Sequence, residues 1–564
     1  MKLLIKNGKV VNVFTDEIQE KNVLIEGEKI IGVGDYTDQD AEQVIDARGK
    51  FICPSFIDGH IHIESTMLLP KEFARAVVCH GTSAVVADPH EIANVCGSDG
   101  IKFMLSESEG LPMDVFISVP SCVPATGFDE SGAIMEAEDI EKLYGTPRIL
   151  CLAEMMNYPG VIFGDEKVLK KIEVSKKYGK IINGHAPLLS GKDLDKYLSQ
   201  GITDDHECSM EAEAKERIEK GQYIMIRQGT AAKNLEGLIS LFEEPYSRRC
   251  MLASDDKHPA DLISNGHIDG IIREAVKLGK DPLTAIRMAT IQPAQYYGLR
   301  DVGAVAPGYK ANLLLLDNLE EVKVNTVFYK GRCVAKDGKT LEFENPKTDA
   351  KLTDKVRNTM NIKELSANDF KVNAKGKKLC NVIGIVKGQL LTENKQIVID
   401  FDKNNGIDIE KDILKLAVAE RHKGTGHIGI CYIEEMGLKQ GAIATSVSHD
   451  SHNLIVLGTN DEDMAVASNR VRELGGGLVS VCAGKVIAEM PLKYAGLMTD
   501  ASTEEASKQN ENVRLSAHKL GAPNDIEPFM LTAFLSLSVI PHIKLTTHGL
   551  VDVDKQQLIP LIIE

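Results

Sequence analysis

Two histidines one residue apart, His60 and His62, sit in the β-forming run Phe56-Ile-Asp-Gly-His-Ile-His-Ile-Glu64. Side chains two apart on a strand leave from the same face, so both imidazoles point to one place. Neutral imidazole is the commonest nitrogen ligand for a metal ion. The pair alone carries little weight; four further residues add to it. Glu154 closes the apolar run 149–153, His185 follows Ile181-Ile-Asn-Gly, His206 follows Ile202-Thr-Asp-Asp, and Asp255 follows Met251-Leu-Ala-Ser. Singly, each has an ordinary reading: a strand-end histidine bonded to backbone, an aspartate capping a helix or turn, a glutamate paired with a surface lysine. Those readings do not account for all six falling at strand ends. Four imidazoles and two carboxylates suffice for two divalent cations with one carboxylate bridging. Such a pair lowers the pKa of a water and makes hydroxide available at neutral pH. Imidazole with carboxylate suits Zn, Mn, Fe or Co.

The elements that must position these side chains follow from periodicity. From about 51 to 300, short apolar runs at 83–87, 114–119, 149–153, 181–185, 201–206, 223–226 and 250–254 alternate with helical stretches such as 166–178, 210–220 and 281–289. With the His60 strand they make eight strands, the count and length of an α/β fold of the (β/α)8 TIM-barrel type. In that architecture active-site groups come from the C-terminal ends of several strands, so the six would share one mouth. A doubly wound sheet is the rival, but the glycine-rich phosphate turn it usually carries is missing. Residues 1–50 read as short strands, too few to stand alone, and 301–345 supply more, giving a small composite β-sandwich domain. The charged stretch 346–375 suits a linker. Residues 376–564 mix strands at 382–386, 396–401 and 454–457 with helices at 411–420 and 461–474, an additional C-terminal α+β domain.

Composition narrows the partners. The 564 residues carry a net charge of −17, which disfavours a nucleic-acid backbone. No apolar run is long enough to span a bilayer, and the N-terminus is too polar for a signal peptide. Eleven scattered cysteines without a C-x-x-C pair fit free thiols in a reducing cytoplasm.

The order His-x-His, acid, His, His, Asp resembles the amidohydrolase superfamily of metal-dependent hydrolases. So do the opening Pro54-Ser-Phe-Ile-Asp-Gly-His-Ile-His62 and the segment from Gly303 through Pro307-Gly308 to Ala311-Asn312, where Asn312 stands in place of the usual aspartate. Many relatives bridge their metals with a carboxylated lysine on the fourth strand; Glu154 occupies that place. Within the superfamily the chain is similar, essentially end to end, to the bacterial adenine deaminase family. The strings that carry this are 59–67 (GHIHIESTM), 87–95 (ADPHEIANV), 119–126 (VPSCVPAT), 153–157 (AEMMN), 183–186 (NGHA), 204–207 (DDHE), 254–258 (SDDKH) and 446–453 (SVSHDSHN). The resemblance implies hydrolysis of adenine to hypoxanthine and ammonia in purine salvage, two divalent ions that are Mn(II) or Fe(II) with Zn(II) as the alternative, and a homodimer or higher homo-oligomer.

That reaction needs hydroxide aimed at C6, a proton on N1 and a proton for departing ammonia. Asp255 is the residue assigned to take a proton from water and pass it on. For N1, Glu154, Glu91 and Glu64 all stay open. Asp88, His90 and Glu91 follow strand 83–87, where His90 and Glu91 either orient substrate, shuttle protons or contact a further ion, or the run is a Pro-stiffened loop with Glu91 at a helix start. Ser121 lies in a rigid polar loop able to meet a base edge. His449, Asp450 and His452 either cap the adenine pocket or make a hydrogen-bonded loop. Two other functions remain: another deaminase or cyclic amidohydrolase of the superfamily, and a non-catalytic barrel scaffold.

Overall fold

The computed structural model describes residues 2–230, 232–386 and 391–563. Eight parallel strands carry the centre of the molecule: β1 (Phe56–Ile61), β2 (Thr82–Ala87), β3 (Asp114–Val119), β4 (Ile149–Met155), β5 (Ile181–Gly184), β6 (Asp204–Asp205), β7 (Tyr223–Arg227) and β8 (Cys250–Ala253). β1 to β5 form one ladder and β6 to β8 another. Two seams close them into a barrel. At one, Asp255 N donates to His60 O at 3.0 Å; at the other, Thr203 N donates to Ile182 O at 3.1 Å. Strands covered on both faces read as continuous apolar runs, and β2 and β8 are buried at every residue. Gly59 keeps β1 close against β8: a Cβ there would lie a tight 3.2 Å from Leu252 O.

The N-terminal strands do not form a sheet by themselves. Leu313–Leu316, after the barrel, pairs antiparallel with Phe51–Pro54, and a nine-stranded sheet results from segments on both sides of the barrel. Asn312 Oδ1 accepts from Lys330 N at 2.9 Å within it, far from the strand-end cluster in role as well as sequence.

The C-terminal region centres on an eight-stranded sheet with the helix Asp461–Leu474 against it. Here one expectation fails: 411–420 is not a helix, because Leu414–Ala419 is a strand between Ile428–Glu434 and Leu454–Gly458. All six of its residues are buried, so no apolar period survives to mark it, and even Lys415 is inside, donating to Phe370 O at 3.1 Å and paired with Asp461 at 2.5 Å. The stretch 346–375 is also more than linker. It carries the helix Ala350–Arg357, docked on the helix His90–Glu107 with Lys355 Nζ 2.5 Å from Asp99 Oδ2.

Candidate active site

The C-terminal ends of β1, β4, β5, β6 and β8 deliver the six residues to one place, and all are buried. His60 and His62, on one face of the β1 exit, bring their Nε2 atoms to 3.1 Å. The other ring nitrogen of His62 donates to Asp88 O at 3.0 Å. That bond fixes the tautomer and leaves the Nε2 lone pair facing the cluster. Glu154 occupies the centre. Its Oε1 lies 3.3 Å from His62 Nε2 and 3.9 Å from His60 Nε2, while Oε2 lies 2.6 Å from His185 Nδ1 and 3.1 Å from His206 Nε2. Asp255 turns back toward β1 through a left-handed backbone (φ 57°), placing Oδ1 3.5 Å from His60 Nε2 and 3.3 Å from His62 Nε2.

The charge states suit cation ligands. Burial would raise the carboxyl of Glu154, but His206 and His185 hold it well below the usual range. Burial likewise opposes ionisation of Asp255, and Arg227 with His60 and His62 overcomes it. The carboxylate field in turn pushes His62, His185 and His206 up against burial. The cluster thus demands positive charge, which a divalent cation meets by displacing those protons. Buried Asp88 Oδ2 and His90 Nδ1 lie 3.3 Å from each other with no other hydrogen-bond partner, and His62, Asp88, His90 and Glu154 present ligand atoms within 4.8 Å of one another. The donor set, all nitrogen and oxygen, fits divalent ions.

The cluster opens into a cleft whose walls include His62, His90, Glu154, His185, His206 and Asp255 from the barrel and His449, Asp450, Phe534, Leu537 and Ile540 from the C-terminal region. His449 stacks flat on Phe534, centroids 4.3 Å apart and planes 5° from parallel. Although burial works against it, Glu91, Asp450 and Asp256 push the His449 imidazole up to about 9. His90 lies 3.4 Å from Glu154 Oε1 and 3.6 Å from Asp450 Oδ1, linking barrel to cap.

Other sequence candidates stand behind this surface. Glu91 Oε1 accepts from Ser65 Oγ at 2.7 Å and lies 3.8 Å from His449 Nδ1. Glu64, pushed up to about 8 by burial and Glu91, lines a neighbouring cavity. His452 faces inward, its Nδ1 accepting from Ser448 N at 3.2 Å. Ser121 is not on the cleft surface; its hydroxyl donates to Glu154 O at 2.5 Å and braces β4.

Arg227 and Glu207 are among the lining residues that escaped the sequence reading. Arg227 at the end of β7 donates to Asp255 Oδ2 at 2.7 Å and makes a forked pair with Glu207, which lies 3.4 Å from His206 Nε2. A charged residue closing an apolar run, in the same register as the other six, was the available mark for Arg227.

Comparison with known proteins agrees with this geometry. The amidohydrolase family matches residues 51–334, and the adenine deaminase C-terminal domain matches 389–557. The adenine deaminase of Clostridium acetobutylicum is 46% identical over 98% of this chain and 96% of its own. Adenine deaminase 2 of Carboxydothermus hydrogenoformans is 43% identical over 99% and 96%, and the adenine deaminase of Desulfatibacillum aliphaticivorans 44% over 98% and 95%.

Proposed function

The chain belongs to the adenine deaminase family of amidohydrolases, and we propose that the strand-end cluster is where it hydrolyses adenine to hypoxanthine and ammonia. One observation carries this assignment: the two oxygens of Glu154 face two different sets of imidazoles. Two divalent ions would be held by His60, His62, His185, His206 and Asp255 with Glu154 shared between them. When bound, they make hydroxide available at neutral pH. Nitrogen and oxygen donors without thiolate suit Mn(II) or Fe(II), with Zn(II) the alternative.

The chain's own residues then divide the work. Arg227 occupies one oxygen of Asp255, so Oδ1 stays directed at the cluster as an ionised base. From there Asp255 accepts a proton from water and returns it to departing ammonia. The apolar residues Phe534, Leu537, Ile540 and Met156 of the cleft lining offer contacts for a purine ring. For N1, Glu154 is engaged on both oxygens and Glu64 faces another cavity, which favours Glu91 acting through His449. Asp88, His90, Asp450 and His452 hold this relay in place. The C-terminal region covers the mouth and excludes water from the reacting centre.

Free thiols throughout are consistent with a cytoplasmic setting, and a homodimer is the assembly we infer from the family. The deciding experiment measures ammonia and hypoxanthine against metal content, over a panel of bases, with Mn(II) removed and restored. Adenine turnover that tracks about two ions per chain supports the assignment; turnover unaffected by metal removal, or preference for another base, overturns it.

A further inference from the structure

A second group of metal-capable side chains lies outside the cleft, where three separate segments meet. Glu130 belongs to the loop after β3, His427 immediately precedes the strand Ile428–Glu434, and His548 sits in the turn between Ile543–Thr546 and Gly549–Asp552. Their ligand atoms all lie within 4.8 Å of one another. We propose that Glu130, His427 and His548 form a divalent-cation site, of zinc type, that ties the loop after β3 to the C-terminal region.

Distances separate this reading from an ordinary hydrogen-bonded cluster. His427 Nδ1 lies 3.0 and 3.1 Å from the two oxygens of Glu130, which a single hydrogen bond explains. His548 Nε2 lies 3.8 Å from Glu130 Oε2, too far for a hydrogen bond yet directed at the same carboxylate. Ligands about 2.0–2.2 Å from a tetrahedral ion stand roughly 3.3–3.6 Å apart, and the separations of His427 and His548 from Glu130 bracket that value. Thr547 Oγ1 donates to Glu130 Oε2 at 2.6 Å, the kind of outer hydrogen bond that orients a ligating carboxylate. Two imidazoles and one carboxylate leave a fourth position for water, a donor set suited to zinc and its neighbours.

The backbone holding the three is braced. Glu420 accepts from the amides of His422, Lys423 and Thr425, fixing the turn that presents His427. Gly429 lets its strand approach the hairpin so closely that a Cβ would lie 1.9 Å from Thr546 O. Asn453 Nδ2 donates to Glu130 O at 2.7 Å from the opposite side. His427 and His548 remain partly exposed, so an ion reaches the site from solvent. The same loop joins the cap through Ser538 Oγ, 2.5 Å from Asp129 Oδ2. Occupancy would add a tie between barrel and cap and stabilise their docked arrangement.

The test uses the full-length holoenzyme with its resident ions in place, titrated with zinc chloride alone. Bound metals are counted after desalting, and Tm is followed. The expected result is one further zinc per chain, an unchanged resident-ion count and a saturable rise in Tm. In His427→Ala/His548→Ala both responses vanish while adenine turnover persists, since neither residue lines the cleft; in Glu130→Gln zinc binds at least about tenfold more weakly. Wild type that takes up no additional zinc, or a double variant that takes up as much as wild type, overturns the proposal.

Discussion

The barrel mouth and the loop at 448–453 are both polar, histidine-rich and buried, yet they are built in opposite ways. At the mouth, each side chain leaves a strand end, and its direction follows from strand alternation and from closure of the ladder at His60 and Asp255. In the loop, position comes from what packs on it. His449 is set by Phe534 beneath its ring and by Ser536 Oγ donating to its carbonyl at 3.0 Å, while Arg421 anchors the carbonyl of His452 at 2.5 Å. Under the proposed assignment the mouth would supply fixed charge for holding cations, and the loop would supply closure and proton supply over the substrate. Damage to the first should remove ions and chemistry together. Damage to the second should slow chemistry with the ions still bound.

The largest expected effect is that of His60→Ala, which should lose metal and lower turnover by at least about 10⁴-fold, read by metal analysis beside adenine kinetics. Asp255→Asn should keep its fold by circular dichroism and lose at least about 10³-fold in kcat. Near-native turnover in that variant would remove Asp255 from its role as base. Arg227→Gln follows, at about 10²-fold in kcat, because Asp255 loses the donor that fixes its second oxygen. A change confined to KM would show that Arg227 binds substrate and does not position Asp255.

Crossing to the loop, His449→Gln should retain both ions and lose roughly 10- to 100-fold in kcat with a flattened alkaline limb of the pH profile. If it instead lost metal, the distinction between mouth and loop would fail.

The mouth was legible in the sequence because a strand end is a position that spacing can define. Five of the eight runs ended at the six residues able to ligate, and burial on both faces kept the runs apolar. β6 was overdrawn at 201–206, since only Asp204–Asp205 joins the ladder. Arg227 and Glu207 were missed because the β7 run was closed at residue 226 and an Arg–carboxylate pair leaves no spacing of its own. The loop was legible only as chemistry without an address: His449 and Asp450 could be marked as candidates, but Phe534, Leu537 and Ile540 reach the cleft through docking, which no local pattern encodes. The strand Leu414–Ala419 was hidden for a related reason, as complete burial erased the periodicity that tells strand from helix.

The smallest effect concerns pH and stability, and it too divides the regions. The folded protein pushes His449 up to about 9 from its ordinary 6.5. Folding thus favours the imidazolium: the stabilisation is fully present below about pH 6.5 and is lost as pH rises through about 9. Glu64, which keeps its proton up to about 8, adds to the same decline, and the part owed to His449 should be on the order of 1 kcal/mol. Denaturant unfolding of chelator-treated wild type should show that decline between pH 6.5 and 9, and His449→Gln should show a smaller one, the remainder coming from Glu64 and the barrel imidazoles. An equal decline in the variant would place the responsible proton among the barrel imidazoles, His206 first, whose own value stands at about 9 beside Glu154.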